Sequence, residues 1–250
     1  MEKVFKRTCG LLDRPMHYCP GCTHGIIHRL IAETLCEMDI LGSAIGVSSV
    51  GCTYNNYEYF ACDMIQAAHG RAPAVATGIK RVHPECMLFT YQGDGDLAAI
   101  GTAEIIHAAA RGEKICAFFA NNAIYGMTSG QMAPTTLLGQ VTSTTPFGRQ
   151  AESHGYPINV SEMIATLQGA VYVERVAVNN FKNINHAKTA IRKAFAVQKA
   201  CLGFAMVEFL TTCPTNWGKD PAASLKWLEE SMIAQYPLGV FRGQNLEVQL

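Results

Sequence analysis

The stretch CMLFTYQGDGDLAAIGTAEIIHAAARGEKICAFFANN, from Cys86 to Asn122, decides how this chain folds. It opens with a short apolar run, Cys86 to Gln92, ended by Gly93-Asp94-Gly95, and closes with a second, ICAFFA from Ile115, ended by Asn121-Asn122. Apolar runs of this length closed by turn residues read as strands buried on both faces, as in parallel sheets. Between them, Leu97 to Arg111 is rich in Ala, Ile and Leu, with Asp96 placed to cap a helix and Gly112 to stop it. This is a βαβ unit, whose right-handed crossover brings the ends of both strands to the same edge of a sheet, about 4.8 Å apart if they are neighbours.

Strands are also expected at 44–50, 171–178 and 204–210. Helices are expected at 24–38, where Ile27, Leu30, Ile31 and Leu35 share a face, and at 185–199, where Ala187, Ile191, Ala194 and Phe195 do. Alternating elements predict an α/β fold, a mostly parallel sheet with helices on both faces. Residues 129–160, dense in Thr, Pro, Gly and Gln, read as a long functional loop. At 250 residues and 49% hydrophobic, the chain is expected to form one domain over 1–250 with a C-terminal arm from about residue 215. Twenty basic and twenty acidic side chains cancel, so charge points to neither nucleic acid nor a membrane surface. The start, Met-Glu-Lys-Val-Phe-Lys-Arg, has no apolar leader behind its charges, and no run reaches the roughly 18 apolar residues of a membrane span, so a cytoplasmic location is expected.

Asp94 and Asn122 leave their strands at one edge. A carboxylate, an amide oxygen and the carbonyl of Ile124 are hard ligands suited to Mg²⁺, which completes its shell with phosphate oxygens and water. Gly93 and Gly95 allow close backbone approach, and the following helix presents its N–H groups to an anion. GDG alone is often only a tight turn. GDG, 25 further residues and NN within one βαβ unit, followed by IYGMTSGQ, resembles the thiamine diphosphate-binding motif. That resemblance implies Mg²⁺ on Asp94, Asn122 and the Ile124 carbonyl, with Gly95, Gly126, Met127 and Thr128 around the diphosphate.

Ten cysteines in a chain read as cytoplasmic are too few and too scattered for a disulfide framework. Cys19-Pro-Gly-Cys22 alone could be redox-active, half a zinc site or chance. Cys52 and Cys213, each after a predicted strand near the cofactor edge, fit with it a dispersed four-thiolate [4Fe–4S] site. Cys9, Cys36, Cys62, Cys86, Cys116 and Cys201 are expected as small apolar fillers.

Along nearly its whole length the chain resembles the β subunits of 2-oxoacid:ferredoxin oxidoreductases: CPGC, SSVGCT, AHGRAPAVATGIK, GDGD, NNAIYGMTSGQ and TCPTNW occur in the family's order. The resemblance implies cluster ligands Cys19, Cys22, Cys52 and Cys213, with Val50, Gly51, Cys52 and Thr53 against the cofactor and Thr53 near the substrate carboxylate. His69 faces the diphosphate or is an interior histidine satisfied by hydrogen bonds. Asn121 stands where many relatives carry an acidic residue. The implied reaction is CoA-dependent oxidative decarboxylation of a 2-oxoacid through thiamine diphosphate, with electrons passing through the cluster to ferredoxin. The resemblance also implies an activating glutamate supplied by an α (pyrimidine-domain) partner, with γ and ferredoxin-like δ subunits completing the assembly. The segment after Cys52, Thr53-Tyr54-Asn55-Asn56-Tyr57, has no Lys or Arg to meet a second carboxylate, which predicts a branched-chain substrate such as 2-oxoisovalerate, ahead of pyruvate, aryl 2-oxoacids or 2-oxoglutarate. The competing readings are a cofactor- or cluster-binding subunit without chemistry of its own and a non-redox thiamine-dependent decarboxylase or acetolactate-type enzyme.

Overall fold

The computed structural model describes residues 6–246 and 248; the ends of the expected 1–250 domain, and residues 1–5 of the start considered above, lie outside the described residues. The elements run α1 (His24–Glu37), β1 (Ala44–Ser48), β2 (Asp63–Gln66), α2 (Ala72–Val82), β3 (Met87–Gly93), α3 (Thr102–Ala110), β4 (Cys116–Asn121), α4 (Ala151–His154), α5 (Val160–Ala165), β5 (Ala170–Ala177), α6 (Phe181–Lys199), β6 (Phe204–Leu210), α7 (Pro214–Trp217), α8 (Pro221–Trp227), α9 (Ile233–Gln235) and β7 (Gly239–Arg242). One sheet holds the strands in the order β2-β1-β3-β4-β6-β5-β7. Every pairing is parallel except that of β5 with β7.

Both faces of the sheet are covered, as its apolar strands require. Phe89, Tyr91, Phe118 and Phe209 point to one face and pack with Ile27, Ile31 and Leu35 of α1 and Ile191 and Phe195 of α6. Leu88, Ala117, Phe119 and Met206 point to the other and pack with Ala76 of α2, Ile105 and Ala109 of α3 and Ile164 of α5. Alternation along β3 and β4 thus divides one sheet between two cores.

The expected strands and α1 lie where periodicity placed them, and the α/β fold with helices on both faces is the observed one. The helix expected over 97–111 is interrupted. Gly95–Ile100 forms a wide helical turn and α3 begins only after Gly101, whose backbone packs directly on that of Gly70. α6 starts four residues before the expected Asn185, because the Asn180 side chain caps it by accepting the Asn183 N–H at 2.9 Å. The chain after residue 214 does not extend as an arm: Leu228, Met232 and Tyr236 pack on Ala123 and Leu137, and β7 pairs along β5.

Cys9 and Cys36 are joined by a disulfide across 27 residues, which corrects the reading of both as apolar fillers. Gly10 lets the N-terminal segment lie against the Ala32 backbone of α1, and this brings the two thiols together. Of the other four expected fillers, Cys116 is buried, Cys62 and Cys86 are half-buried, and Cys201 is exposed, so it fills no core.

The long loop is ordered around one cation. Arg149, only 5% exposed, donates from its guanidinium to the carbonyls of Ala133, Pro134, Thr136, His154, Gly155 and Tyr156. Among the described residues no helix is long and apolar enough to cross a membrane. Replacing Arg149 with Met removes every one of those donors and is expected to cost roughly 3 kcal/mol of stability in denaturant unfolding and to open the loop to limited proteolysis. Wild-type stability in that variant would mean that the loop's own turns hold it.

Candidate functional site

The register of β3 and β4 sets Gly93 beside Ala120, so the two chains leave the sheet together. Beyond that edge, Asp94 turns its carboxylate inward. One oxygen accepts the Gly95 N–H at 2.8 Å; the other accepts the Ile124 N–H at 3.0 Å and the Thr135 hydroxyl at 3.1 Å. The Ile124 N–H also lies 3.2 Å from the Asn122 amide oxygen, so Asp94, Asn122 and the backbone of Ile124 come together at this edge. Burial pushes the Asp94 carboxyl up to about 7, against the pull of those donors, with no protein cation among the causes. A buried, underneutralised carboxylate beside an amide oxygen is the donor set a hard divalent cation fits.

A cleft of about 270 Å³ opens on this edge. Its wall contains Val50, Gly51, Cys52 and Thr53 after β1, His69 before α2, Gly93, Asp94 and Gly95 after β3, and Asn122, Gly126, Met127 and Thr128 after β4. All twelve residues expected at the cofactor therefore share one cavity. Thr53 is 1% exposed, and its hydroxyl finds no protein partner, so a group in the cleft would satisfy it. Gly95 leaves room for the Tyr125 ring: a Cβ there would stand 2.8 Å from it.

His69 combines the two alternatives open in the sequence: it lines the cleft and is hydrogen-bonded through Nδ1, 2.5 Å from Asp96. Asp96 is not a helix cap. Its carboxylate also accepts from Ser49 Oγ at 2.6 Å, from the Gly70 N–H at 2.7 Å and from the Gln92 amide. The capping role falls to Asp94, two residues earlier. Fully engaged by donors, the Asp96 carboxylate binds the turns after β1, before α2 and after β3 to one another. The neutral Asn121 has a structural reason as well: its amide donates to Glu208 at 2.8 Å, within a buried group that holds Arg175 and Ser161.

Cys19, Cys22, Cys52 and Cys213 line a second cavity of about 60 Å³. His24, Cys52, Asn122 and Gly126 belong to both walls. Gly126 lies close against that arrangement: a Cβ there would stand 3.2 Å from the Cys52 sulfur, a tight approach, and 3.5 Å from that of Cys213. Burial and neighbouring thiols push Cys22 up to about 12 and Cys52 up to about 11, and Cys213 is raised for the same reasons. Such thiols become thiolates by binding metal. The sulfurs surround a space rather than converge: no three His, Cys, Asp or Glu among the described residues form a chelating group for one ion.

Sequence reasoning did not assign His24, Ile100 or Tyr125 to the cleft, and it gave Thr135 no role. His24 opens α1 two residues after Cys22; its Nδ1 is 2.6 Å from the Tyr91 hydroxyl, and burial holds it down at about 4, hence neutral. Its position next to CPGC was the available signal. Tyr125 lies within the IYGMTSGQ stretch, whereas Ile100 and Thr135 carry no such signal, because a turn and the long loop bring them in.

Residues 44–209 match the thiamine pyrophosphate enzyme family in its C-terminal TPP binding domain. The chain is 46% identical over 249 residues to the ketoisovalerate oxidoreductase subunit VorA of Methanothermobacter thermautotrophicus, covering 100% of this chain and 52% of that protein. It therefore spans about half the length of that relative. It is 35% identical over 229 residues to the 2-oxoglutarate synthase subunit KorB of Methanocaldococcus jannaschii, covering 88% of this chain and 80% of that one. A solved 2-oxoglutarate:ferredoxin oxidoreductase from Magnetococcus marinus, with 2-oxoglutarate, coenzyme A and succinyl-CoA bound, superposes with a TM-score of 0.75 at 23% identity, covering 98% of this chain and 87% of that one. The chain belongs to the thiamine pyrophosphate enzymes, among the β-type subunits of the 2-oxoacid:ferredoxin oxidoreductases.

In a thiamine diphosphate-binding domain built this way, Gly95→Ala is expected to push Tyr125 into the cleft and weaken cofactor binding about tenfold, with Tyr125→Ala in the same chain restoring part of the loss. Titration of both variants by calorimetry checks this; unchanged affinity in Gly95→Ala would show that the ring has room to move.

Proposed function

We propose that this chain is the cofactor-carrying subunit of a 2-oxoacid:ferredoxin oxidoreductase. Its reaction is CoA-dependent oxidative decarboxylation of a 2-oxoacid to an acyl-CoA and carbon dioxide, with electrons leaving through a [4Fe–4S] cluster to ferredoxin. The observation that carries the reading is the shared wall: the cleft with the twelve expected cofactor residues and the four-cysteine cavity meet through Cys52 and Gly126.

Thiamine diphosphate, when bound, would supply a nucleophilic C2 carbon and an electron sink for decarboxylation of a 2-oxoacid. Asp94, Asn122 and the Ile124 carbonyl hold its Mg²⁺, while Gly95, Gly126, Met127 and Thr128 border the diphosphate. His69, oriented by Asp96, faces the same anion. The Thr53 hydroxyl, otherwise unpaired, receives the substrate carboxylate. Cys19, Cys22, Cys52 and Cys213 hold the cluster, which supplies one-electron acceptance. Gly126 keeps the cofactor loop against two of those sulfurs. The activating glutamate comes from an α (pyrimidine-domain) partner, and γ and ferredoxin-like δ subunits and a cytoplasmic setting complete the proposal. Exposed apolar side chains on the loop leaving the cleft, among them Met127, Val141 and Phe147, support coverage by such a partner.

The substrate favoured is a branched-chain 2-oxoacid such as 2-oxoisovalerate. The cleft wall contains no Lys or Arg; Ile100 and Met127 give it half-exposed apolar surface, and Arg71, the first cation after Cys52, is ion-paired to Glu104. A second carboxylate there would lack a partner, at a cost of several kcal/mol. The higher identity to the ketoisovalerate subunit than to the 2-oxoglutarate subunit agrees with this.

In the protein purified anaerobically, Asp94→Ala should abolish Mg²⁺-dependent retention of thiamine diphosphate without unfolding the chain; full cofactor occupancy would refute the metal assignment. Alanine at Cys19, Cys22, Cys52 or Cys213 should each deplete iron, while Cys116→Ala should not. A zinc-to-protein ratio near one in the wild type would overturn the cluster. With the complex reconstituted, kcat/KM for 2-oxoisovalerate should exceed that for 2-oxoglutarate by at least about tenfold. A ratio below one would mean that a partner brings its own cation to the pocket and that the substrate reading is wrong.

A further inference from the structure

The strand end that delivers Cys213 also delivers a short brace. α7 follows the cysteine directly, and two of its side chains reach the cofactor loop: the Trp217 indole N–H donates to the Asn122 carbonyl at 3.1 Å, and the Asn216 amide donates to the Gly126 carbonyl at 2.8 Å. The same Asn216 nitrogen lies 3.3 Å from the Cys213 sulfur. A primary amide has two N–H groups, and here each has a different acceptor. The presence of two acceptors on one side fixes which end of the amide faces them, and the oxygen turns toward Gly130. Asn216 is half-buried, so water competes only partly for these bonds. Gly126, the acceptor on the cofactor side, is also the residue whose missing side chain leaves room for the Cys52 and Cys213 sulfurs.

We propose that Asn216 is a positioning residue for both halves of the site, donating one N–H to the Cys213 sulfur to raise the cluster's reduction potential and the other to Gly126 to hold the cofactor loop beside it. The inference rests on the reading of the four cysteines as cluster ligands. Its direction follows from charge. A donor to a ligand sulfur stabilises the more negative, reduced cluster over the oxidised one, and hydrogen bonds to the sulfurs are among the features that set such potentials. A single amide on both acceptors couples them: a shift of the cofactor loop moves the donor that faces the sulfur.

The test uses Asn216→Leu, which keeps most of the volume and removes both donors, and Asn216→Ser as a smaller replacement that also loses the amide. Each is made in the full chain and purified anaerobically with its partner subunits. Iron content, an EPR-monitored redox titration and thiamine diphosphate affinity are measured. At wild-type iron content, the reduced fraction at a fixed solution potential near the midpoint should fall about tenfold in reduced-to-oxidised ratio, a downward shift of about 59 mV for one electron. The cofactor dissociation constant should rise about fivefold, as for loss of one ordinary hydrogen bond. An unchanged potential at full iron, or loss of iron from both variants, would overturn the inference. A wild-type complex without iron would instead refute the cluster reading itself, and this inference with it.

Discussion

When two strands run side by side in the same direction and end within a residue of each other, the residues that follow them have to share one small region of space. β3 and β4 impose this on Asp94 and Asn122, and the pairing of Gly93 with Ala120 is what the functional edge depends on. The pairing is held from both faces, because alternate side chains of each strand enter different cores. A slip of one residue would exchange those faces and turn Asp94 away from the Ile124 N–H. The chain cannot adopt a neighbouring register without unpacking Phe89, Tyr91, Phe118 and Phe119 together.

The edge so formed leaves electrostatic demands unmet by the protein. Asp94 is buried among N–H and O–H donors without a cation, and the Cys22, Cys52 and Cys213 thiols are raised by burial and by neighbouring acidic groups. Elsewhere the fold pairs its buried charges thoroughly: Arg175 meets Glu162 and Glu208, and Arg149 is wrapped in carbonyls. The contrast within one molecule separates structural from ligand-directed polarity. Arg175 and Arg149 are satisfied inside the fold, whereas Asp94 lacks a counter-charge and the Thr53 hydroxyl a partner, and both face the cleft.

Much of this was legible in the order of residues. The apolar runs at Cys86–Gln92 and Ile115–Ala120 could be nothing but interior strands, and the glycines and asparagines after them located the edge. Local signals failed where distant chain supplies the partner. Asp96 looks like a cap in sequence, yet its donors come from Ser49, His69, Gly70 and Gln92, so no window around it shows them. Cys9 and Cys36 look isolated because the segment carrying Cys9 folds back along α1. β2 and β7 are four-residue edge strands, the first mostly exposed and the second half-buried, and both lack the apolar run that marks the interior ones. The loop around Arg149 has no periodicity at all; its order comes from one side chain reaching carbonyls on both sides of it.

Cys52 and Gly126 each belong to two cavities, and a partition with two sides cannot be remodelled for one of them alone. Bulk added at Gly126 to narrow the cleft would press on two sulfurs, and a change at Cys52 would remove a thiol from the neighbouring space. A substitution at either position therefore acts on both cavities at once. A change in what the cleft admits that leaves the thiols untouched is open on the opposite side, where Ile100 and Met127 are half-exposed and touch no cysteine cavity.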